Sequence, residues 1–402
     1  MFALRSRVAF DGDRFLEGGA TVLVEGSEIA GVEPFGFESS EGVEVSTYDG
    51  TLLPGLIDAH VHLVADGSVG SLEAAGTASD EDVDGVIART LAQHMASGTT
   101  TVRDLGDARY RSLTFRDAAA PGVPRIVASG PPFTVTDGHC HYLGGVAEGP
   151  DAIQAAMADH VSHGVDVVKV MASGGMLTPG TDQLGVQFSA SDLALVVSLG
   201  HEAGLPVVAH AHSVRGAWHA VGAGVDGIEH FTCLSEDGIQ APVDLLEAVA
   251  AAGIVVSPTL GVDRDRMAAM GQPPPAVVLM ASLIGLDPAT LLARRLELVA
   301  RVREHGIPIV SGVDAGVGPA KGHGIAWRAV AELVLAGFPV AEALATATSY
   351  AASALGLGSV TGRLRAGYAA DLLVVEGDVR ADVEALGRPA AVLVRGVAVT
   401  PL

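Results

Sequence analysis

A chain of 402 residues with 24 Lys and Arg against 47 Asp and Glu carries a formal net charge of −23, and a surface that acidic argues against nucleic acid and anionic membranes as partners. Hydrophobic residues make up 49% and aromatic residues only 4%, so Ala, Val, Leu and Gly fill the interior, as in α/β proteins with buried parallel strands. No run of about 18 apolar residues indicates a membrane span, and Asp11 and Asp13 follow the N-terminal arginines too soon for a signal peptide, so a cytoplasmic protein is expected.

Residues 1 to about 50 alternate short apolar runs with turns, as in VAFDG, ATVLVEGSEIAGVEPFG and EVSTYDG. Strand-length segments bounded by Gly and Asp predict antiparallel β structure. The C-terminal stretch is alike, with SVTGRLRAGYAADLLVVEGD and AAVLVRGVAV. Neither piece holds enough strands to close a core alone. Residues 1–51 and 360–402 are therefore expected to pair into a small composite β-sandwich, leaving 52–359 as the main unit.

From Leu52 the rhythm changes. Short apolar strands alternate with amphipathic helices, the pattern of a parallel sheet with crossovers. Eight strand candidates end near His60, Arg103, Ser129, Lys169, His210, His230, Thr259 and Asp314. Helices are expected at about Asp82 to Ala96, at about Ser191 to Ala203 behind a serine cap, and over PATLLARRLELVARVREHG. Gly98, Gly164, Gly204, Gly253 and Gly306 stand where helices should stop. Eight such units predict an α/β fold of the (β/α)8, TIM-like barrel type. Residues 130–149 and 260–287, the latter holding three prolines at 273–275, read as long loops walling a pocket. Cys140 and Cys233 form neither a disulfide framework nor a metal knuckle, and read as buried thiols.

In such a barrel the site lies at the C-terminal ends of the strands, and that is where the polar residues fall. GLIDAHVHL places His60 and His62 two apart, so both imidazoles leave the strand on one side. A lone pair of this kind is common in loops. Here, however, later strands end in Lys169, His210 and His212, His230, and Asp314. Imidazoles and carboxylates converging in this way suit a divalent transition metal. Lys169 sits among Val167, Val168, Val170 and Met171. A desolvated lysine loses its proton readily, and a neutral amine can take up carbon dioxide to give a carbamate able to bridge two metals. Its alternatives are a snorkelling side chain or a pair with Asp166.

GLIDAHVHL, TTVRDLG, VKVMASGG, VVAHAHS, GIEHFT and SGVDAG resemble the amidohydrolase superfamily of metal-dependent hydrolases over nearly the whole chain. The wording is most similar to the branch of prolidase-like Xaa-Pro dipeptidases, arginine carboxypeptidases and ochratoxinase-type amidases. The resemblance implies two divalent ions, zinc foremost. One would be held by His60, His62 and Asp314, the other by His210 and His230, with carboxylated Lys169 bridging them. It further implies cleavage of an amide, in a dipeptide or N-acyl amino acid, by a metal-bridging hydroxide, with Asp314 as catalytic base and acid. His212 matches no ligand position and is assigned to the substrate pocket.

His139, His141 and Tyr142 in the first long loop, and His323 after the eighth strand, are further candidates for substrate binding. Arg103 and Asp104 are expected to form an internal ion pair. Arg264, Arg266 and Lys321 are candidates for a substrate carboxylate. His94, His160, His163, His201, His219 and His305 are expected on the outer helices. A deaminase or cyclic-amide hydrolase is the alternative, but HAHS is not followed by the glutamate that deaminase members carry, and a one-metal site needs no Lys169. A non-catalytic scaffold should have lost ligands. The partner is a small-molecule substrate. Oligomeric state is left open, a homo-oligomer included.

Overall fold

The computed structural model describes residues 1–38 and 42–401; residues 39–41 and 402 of the expected terminal segments lie outside the described residues. Five strands open the chain: β1 (Phe2–Phe10), β2 (Phe15–Leu16), β3 (Ala20–Glu25), β4 (Glu28–Pro34) and β5 (Glu44–Pro54). After Gly55 the next strand, β6 (Leu56–Val61), enters the main body, followed by β7 (Thr99–Asp104) and β8 (Arg125–Ala128). Then come β9 (Val168–Met171), β10 (Val207–Ser213), β11 (Gly227–Ser235), β12 (Gly238–Ile239) and β13 (Val255–Ser257). The chain closes with β14 (Leu372–Glu376), β15 (Pro389–Val394) and β16 (Val397–Val399).

The two ends share one sheet, in the order β16-β15-β14-β5-β1-β3-β4, with β2 beside β1. β14 runs antiparallel to β5, setting Leu373 opposite Leu53 and Val374 opposite Leu52. An antiparallel bridge from Glu28 to Ala369 brings the far strand back to the C-terminal segment. Leu4, Val22, Val24, Ile29, Leu52, Leu372, Val374 and Leu393 fill the core so enclosed, with residues from both ends.

The main body is mixed α/β. β6, β7 and β8 form one parallel sheet, and β9, β10, β11 and β13 another, with β12 hairpinned onto β11. All six residues of β6 and all four of β9 are buried, as strands covered on both faces must be. Burying each Leu, Ile or Val here contributes about 1.5–3 kcal/mol. Helices separate the parallel strands. Asp80–Ala96 begins on Ser79, whose side chain accepts from the Asp82 N–H, and it buries Ile87 and Leu91. Ala190–Glu202 begins the same way on Ser189. Gly164 and Gly253 end their helices at φ 69° and 66°, a conformation that glycine adopts without a Cβ clash.

Two expectations are corrected. The eighth strand candidate is not a strand, and no closed eight-stranded barrel forms among the described residues. Its N–H groups divide among different partners: Val310 donates to Val256, Ser311 to Thr346, Val313 to the Asp58 carboxylate and Asp314 to His60. Asp314 has φ 65°, which takes it out of extended geometry. The segment joins the neighbouring sheets through single bridges, Ile309 to Val256 and Ala315 to Val61. The other gap between sheets is spanned by bonds from Asp166 to Ala128 and from Phe133 to Lys169. The second correction concerns 260–287. It holds two helices, Arg264–Ala269 and Pro275–Leu283. The Asp263 side chain accepts from the Arg266 N–H, and Pro275 occupies the first helical turn, where its missing N–H costs nothing. No single helix among the described residues is long and apolar enough to cross a membrane.

Candidate metal centre and active site

The strand ends bring two groups of donors together. His60, His62 and Asp314 form one, and His210, His212 and His230 the other; within each, the donor atoms lie within 4.8 Å of one another. The His60 and His230 rings, one from each group, are 5.2 Å apart between centroids. Close approach of the backbone is part of this arrangement. A Cβ on Gly312 would lie 2.8 Å from the His60 Cβ, so only glycine lets the eighth segment lie against β6. His230 and Asp314 both have left-handed backbone, φ 69° and 65°, a strain that persists only where surrounding structure imposes it.

Each imidazole is held by its other nitrogen. His62 Nδ1 donates to the Gly106 carbonyl at 3.0 Å and Nε2 lies 3.3 Å from Asp314 Oδ1; burial pulls this imidazole down, but the bond to Asp314 outweighs it and raises it above its ordinary value. His60 Nδ1 donates to Glu229 at 2.8 Å, leaving Nε2 3.4 Å from the same oxygen. His210 Nε2 faces the Gly174 carbonyl at 3.2 Å, while His212 and His230 are bonded through Nδ1 to Thr232 and Thr259, each at 2.9 Å. A bond at one ring nitrogen fixes which nitrogen is offered to a ligand.

Burial sets the charge states. It pulls His60 down to about 4, reinforced by Lys169, and His212 down to about 3, reinforced by Arg295. It carries His210 and His230 well below the ordinary imidazole range. These rings are therefore neutral near pH 7 and can act as ligands. Burial favours a protonated Asp314, but His60, His62 and Lys321 outweigh it and hold the carboxyl well below its usual range. Lys169 is pulled down to about 8, chiefly by burial, with Arg103 adding to the effect. Its Nζ is buried and has no hydrogen-bond partner. Asp166 is bonded to Arg116 instead, at 2.9 Å. This orphaned buried amine lies beside two groups whose imidazole and carboxylate donors suit a divalent transition metal.

These residues line a cavity of about 140 Å³, together with His139, Met176, Met280, Leu291 and Arg295. The sequence profile of the Amidohydrolase family matches residues 51–399, from the end of β5 to β16. The chain belongs to the amidohydrolase family. It is 26% identical over 369 residues to an ochratoxinase of Aspergillus niger, covering 85% of this chain and 73% of that one. It superposes on the crystal structure of a Xaa-Pro dipeptidase with bound methionine in the active site, with a TM-score of 0.85 at 25% identity over 99% of both chains. A crystal structure of an amidohydrolase gives 0.83 at 27% identity, over 100% of this chain and 99% of that one. The family is generally metal-dependent, and this member is a hydrolytic enzyme.

Within this amidohydrolase, His139 lies in the cavity wall, 4.6 Å from the His210 ring and bonded through Nδ1 to Thr178 at 3.0 Å. Gly175 makes room for it, since a Cβ there would lie 2.3 Å from His139 Nε2. His141 and Tyr142 are not part of the wall. His141 Nδ1 donates to Gly138, and the Tyr142 hydroxyl faces the Cys140 thiol at 3.6 Å. His323 also stands outside it. Its Nε2 donates to Ala65 at 2.7 Å, while Nδ1 meets His94 Nε2 at 2.9 Å. His94, on the helix Asp80–Ala96, is thus a buried packing residue. Lys321 gives its protons to backbone carbonyls, Thr259 at 2.8 Å and Val313 at 2.9 Å among them, which removes it as a carboxylate receptor.

Glu229 is a functional residue that the sequence pattern does not single out, and the partner of Arg103 is Glu229, not the expected Asp104. In the structure Arg103 donates to Glu229 Oε1 at 2.8 Å, and Glu229 Oε2 accepts from His60. Asp104 is occupied by the N–H groups of Leu63 and Gly106 and by the Ser112 hydroxyl. The available signal was an acidic residue inside a strand otherwise buried. Burial alone would raise Glu229, yet Arg103 and His60 hold it down at about 2. Glu229→Gln is expected to weaken metal retention by roughly 10–100-fold, the usual loss when a ligand's supporting carboxylate is removed. Dialysis against a graded chelator, followed by metal analysis, measures this. Retention equal to the parent's would mean that Glu229 only neutralises Arg103.

Proposed function

We propose that this chain is a binuclear metal-dependent hydrolase that cleaves the amide bond of dipeptides or N-acyl amino acids. The observation that carries this reading is Lys169, a buried amine without a partner beside both donor groups. His60, His62 and Asp314 would hold one ion and His210 and His230 the other, with His212 close enough to share in the second group. A neutral Lys169 amine can add to carbon dioxide with loss of one proton, and the resulting carbamate would be the further anionic group available to hold the ions. Zinc suits these imidazole and carboxylate donors best. When bound, the ions supply Lewis acidity to the scissile carbonyl and acidify water.

The chain's own residues do the rest. Asp314, ionised and at the cavity wall, takes the proton of the attacking water and returns it to the leaving nitrogen. His139, held by Thr178, lines the cavity from the first long loop and would meet the substrate there. Glu229 keeps His60 aimed. Residues 52–359 form the catalytic unit, with the chain ends as its composite β-sandwich.

Purified protein should hold about two equivalents of zinc or a similar ion and release free amino acid from a panel of dipeptides and N-acyl amino acids. No metal and no cleavage after reconstitution with zinc and bicarbonate would end the proposal. Ammonia release from cyclic or purine-like compounds, with amides untouched, would replace it with a deaminase.

A further inference from the structure

Three cationic side chains line the cavity, and their protons are committed differently. Lys321 spends its donors on backbone carbonyls. Lys169 faces the two donor groups. Arg295 remains, on the helix Pro288–Glu304. Its Nη2 donates to the Pro258 carbonyl at 2.7 Å and, at 3.4 Å, to that of Thr259. No hydrogen bond from Nε or Nη1 and no salt-bridged carboxylate is found for it among the described residues. The nearby Glu332 is already occupied by the N–H groups of Gly261 and Val262, at 2.8 and 3.2 Å, and by Arg264 at 3.8 Å. A guanidinium held in a protein wall without an anion is unfavourable unless a ligand supplies one, and its planar fork matches a carboxylate with two parallel bonds.

The wall around it is apolar: Met176, Met267, Val277, Met280 and Leu291. Thioethers fill irregular space and adapt to different shapes. The rest of the molecule repels anions, with a net charge of −23, so a carboxylate substrate needs a local cation to receive it.

We infer that Arg295 receives the carboxylate of the substrate's amino-acid half and that the methionine-lined wall takes its side chain. The preferred substrates are then amides of large apolar α-amino acids with a free carboxylate. This rests on the amide-hydrolase reading, because in dipeptides and N-acyl amino acids alike the carboxylate lies one carbon from the scissile nitrogen.

Leucine and leucinol provide the test, since neither contains an amide to cleave and they differ only in the carboxylate. Calorimetric titration of the metal-loaded enzyme should show leucine binding at least about 10-fold tighter than leucinol, and tighter than alanine. Arg295→Gln should erase the preference for leucine over leucinol, and Arg295→Lys should keep part of it. For N-acyl-leucine, Arg295→Gln should lower kcat/KM about 100-fold, mainly through KM, while N-acyl-leucinamide changes little. Equal binding of leucine and leucinol by the parent enzyme overturns the inference without recourse to any variant, as does an Arg295→Gln enzyme that keeps the preference. Leucine preference without cleavage of any amide would sink the hydrolase reading and leave this site standing. Equal cleavage of acid and amide substrates would do the reverse.

Discussion

Lys169→Ala is expected to lower kcat/KM for the best amide substrate by at least about 1,000-fold, or some 4 kcal/mol in the barrier, and to leave the purified protein with much less metal. On the proposed reading a carboxylated Lys169 would supply an anion to both donor groups, and alanine cannot. The same change should leave the metal-free protein as stable as the parent, or more so. Lys169 Nζ has no hydrogen-bond partner, and an ionised amine in that position is a burden on the fold. A fall in activity together with an undiminished melting temperature would separate a ligand role from a packing role. Metal content and turnover both equal to the parent's would contradict the bridging carbamate.

Asp314→Asn is expected to reduce kcat by roughly 100- to 10,000-fold, the range for loss of a positioned general base, with a smaller change in KM. The amide can neither accept the water proton nor return it to the leaving nitrogen. The variant should also differ from the parent in acid. The folded Asp314 pKa is held below the ordinary value of 3.8 by His60 and His62, against the upward push of burial. A depressed carboxyl contributes stability that is present above its unfolded pKa and is lost as pH falls through the folded value. Melting temperature in the metal-free state should therefore decline less steeply below about pH 4 in the asparagine variant. Matching acid limbs would show that the carboxylate is not held ionised by the two imidazoles.

What could be read from the chain follows the range of each signal. His60, His62, Lys169, His210, His230 and Asp314 stood out because each ends or interrupts a short apolar run, and a parallel strand writes that pattern in adjacent residues. His212 bore the same two-residue spacing to His210 that joined His62 to His60, and the structure gathers it with His210 and His230. Glu229 and Asp58 were not legible, because their partners lie far along the chain. Glu229 meets Arg103 and His60, and Asp58 receives the N–H of Val313. Such bonds between strands leave no local trace. Residues 260–287 misled in another way. Consecutive prolines suggested a loop, yet a proline in the first turn starts the helix Pro275–Leu283. That helix contributes Val277 and Met280 to the cavity, and the next one contributes Arg295.

The pairing of β5 with β14 has a bearing on how the protein is made. β5 leads through Gly55 directly into the strand that bears His60, yet its neighbour Leu373 is synthesised 320 residues after Leu53. Until then one edge of β5 is bare, on a nascent chain that has already left the ribosome with its first two histidines. An unpaired apolar edge is what other chains add to, and the interval falls where large proteins are most exposed to wrong partners. The strand that feeds directly into β6 thus depends on one of the last strands to be made to cover its edge.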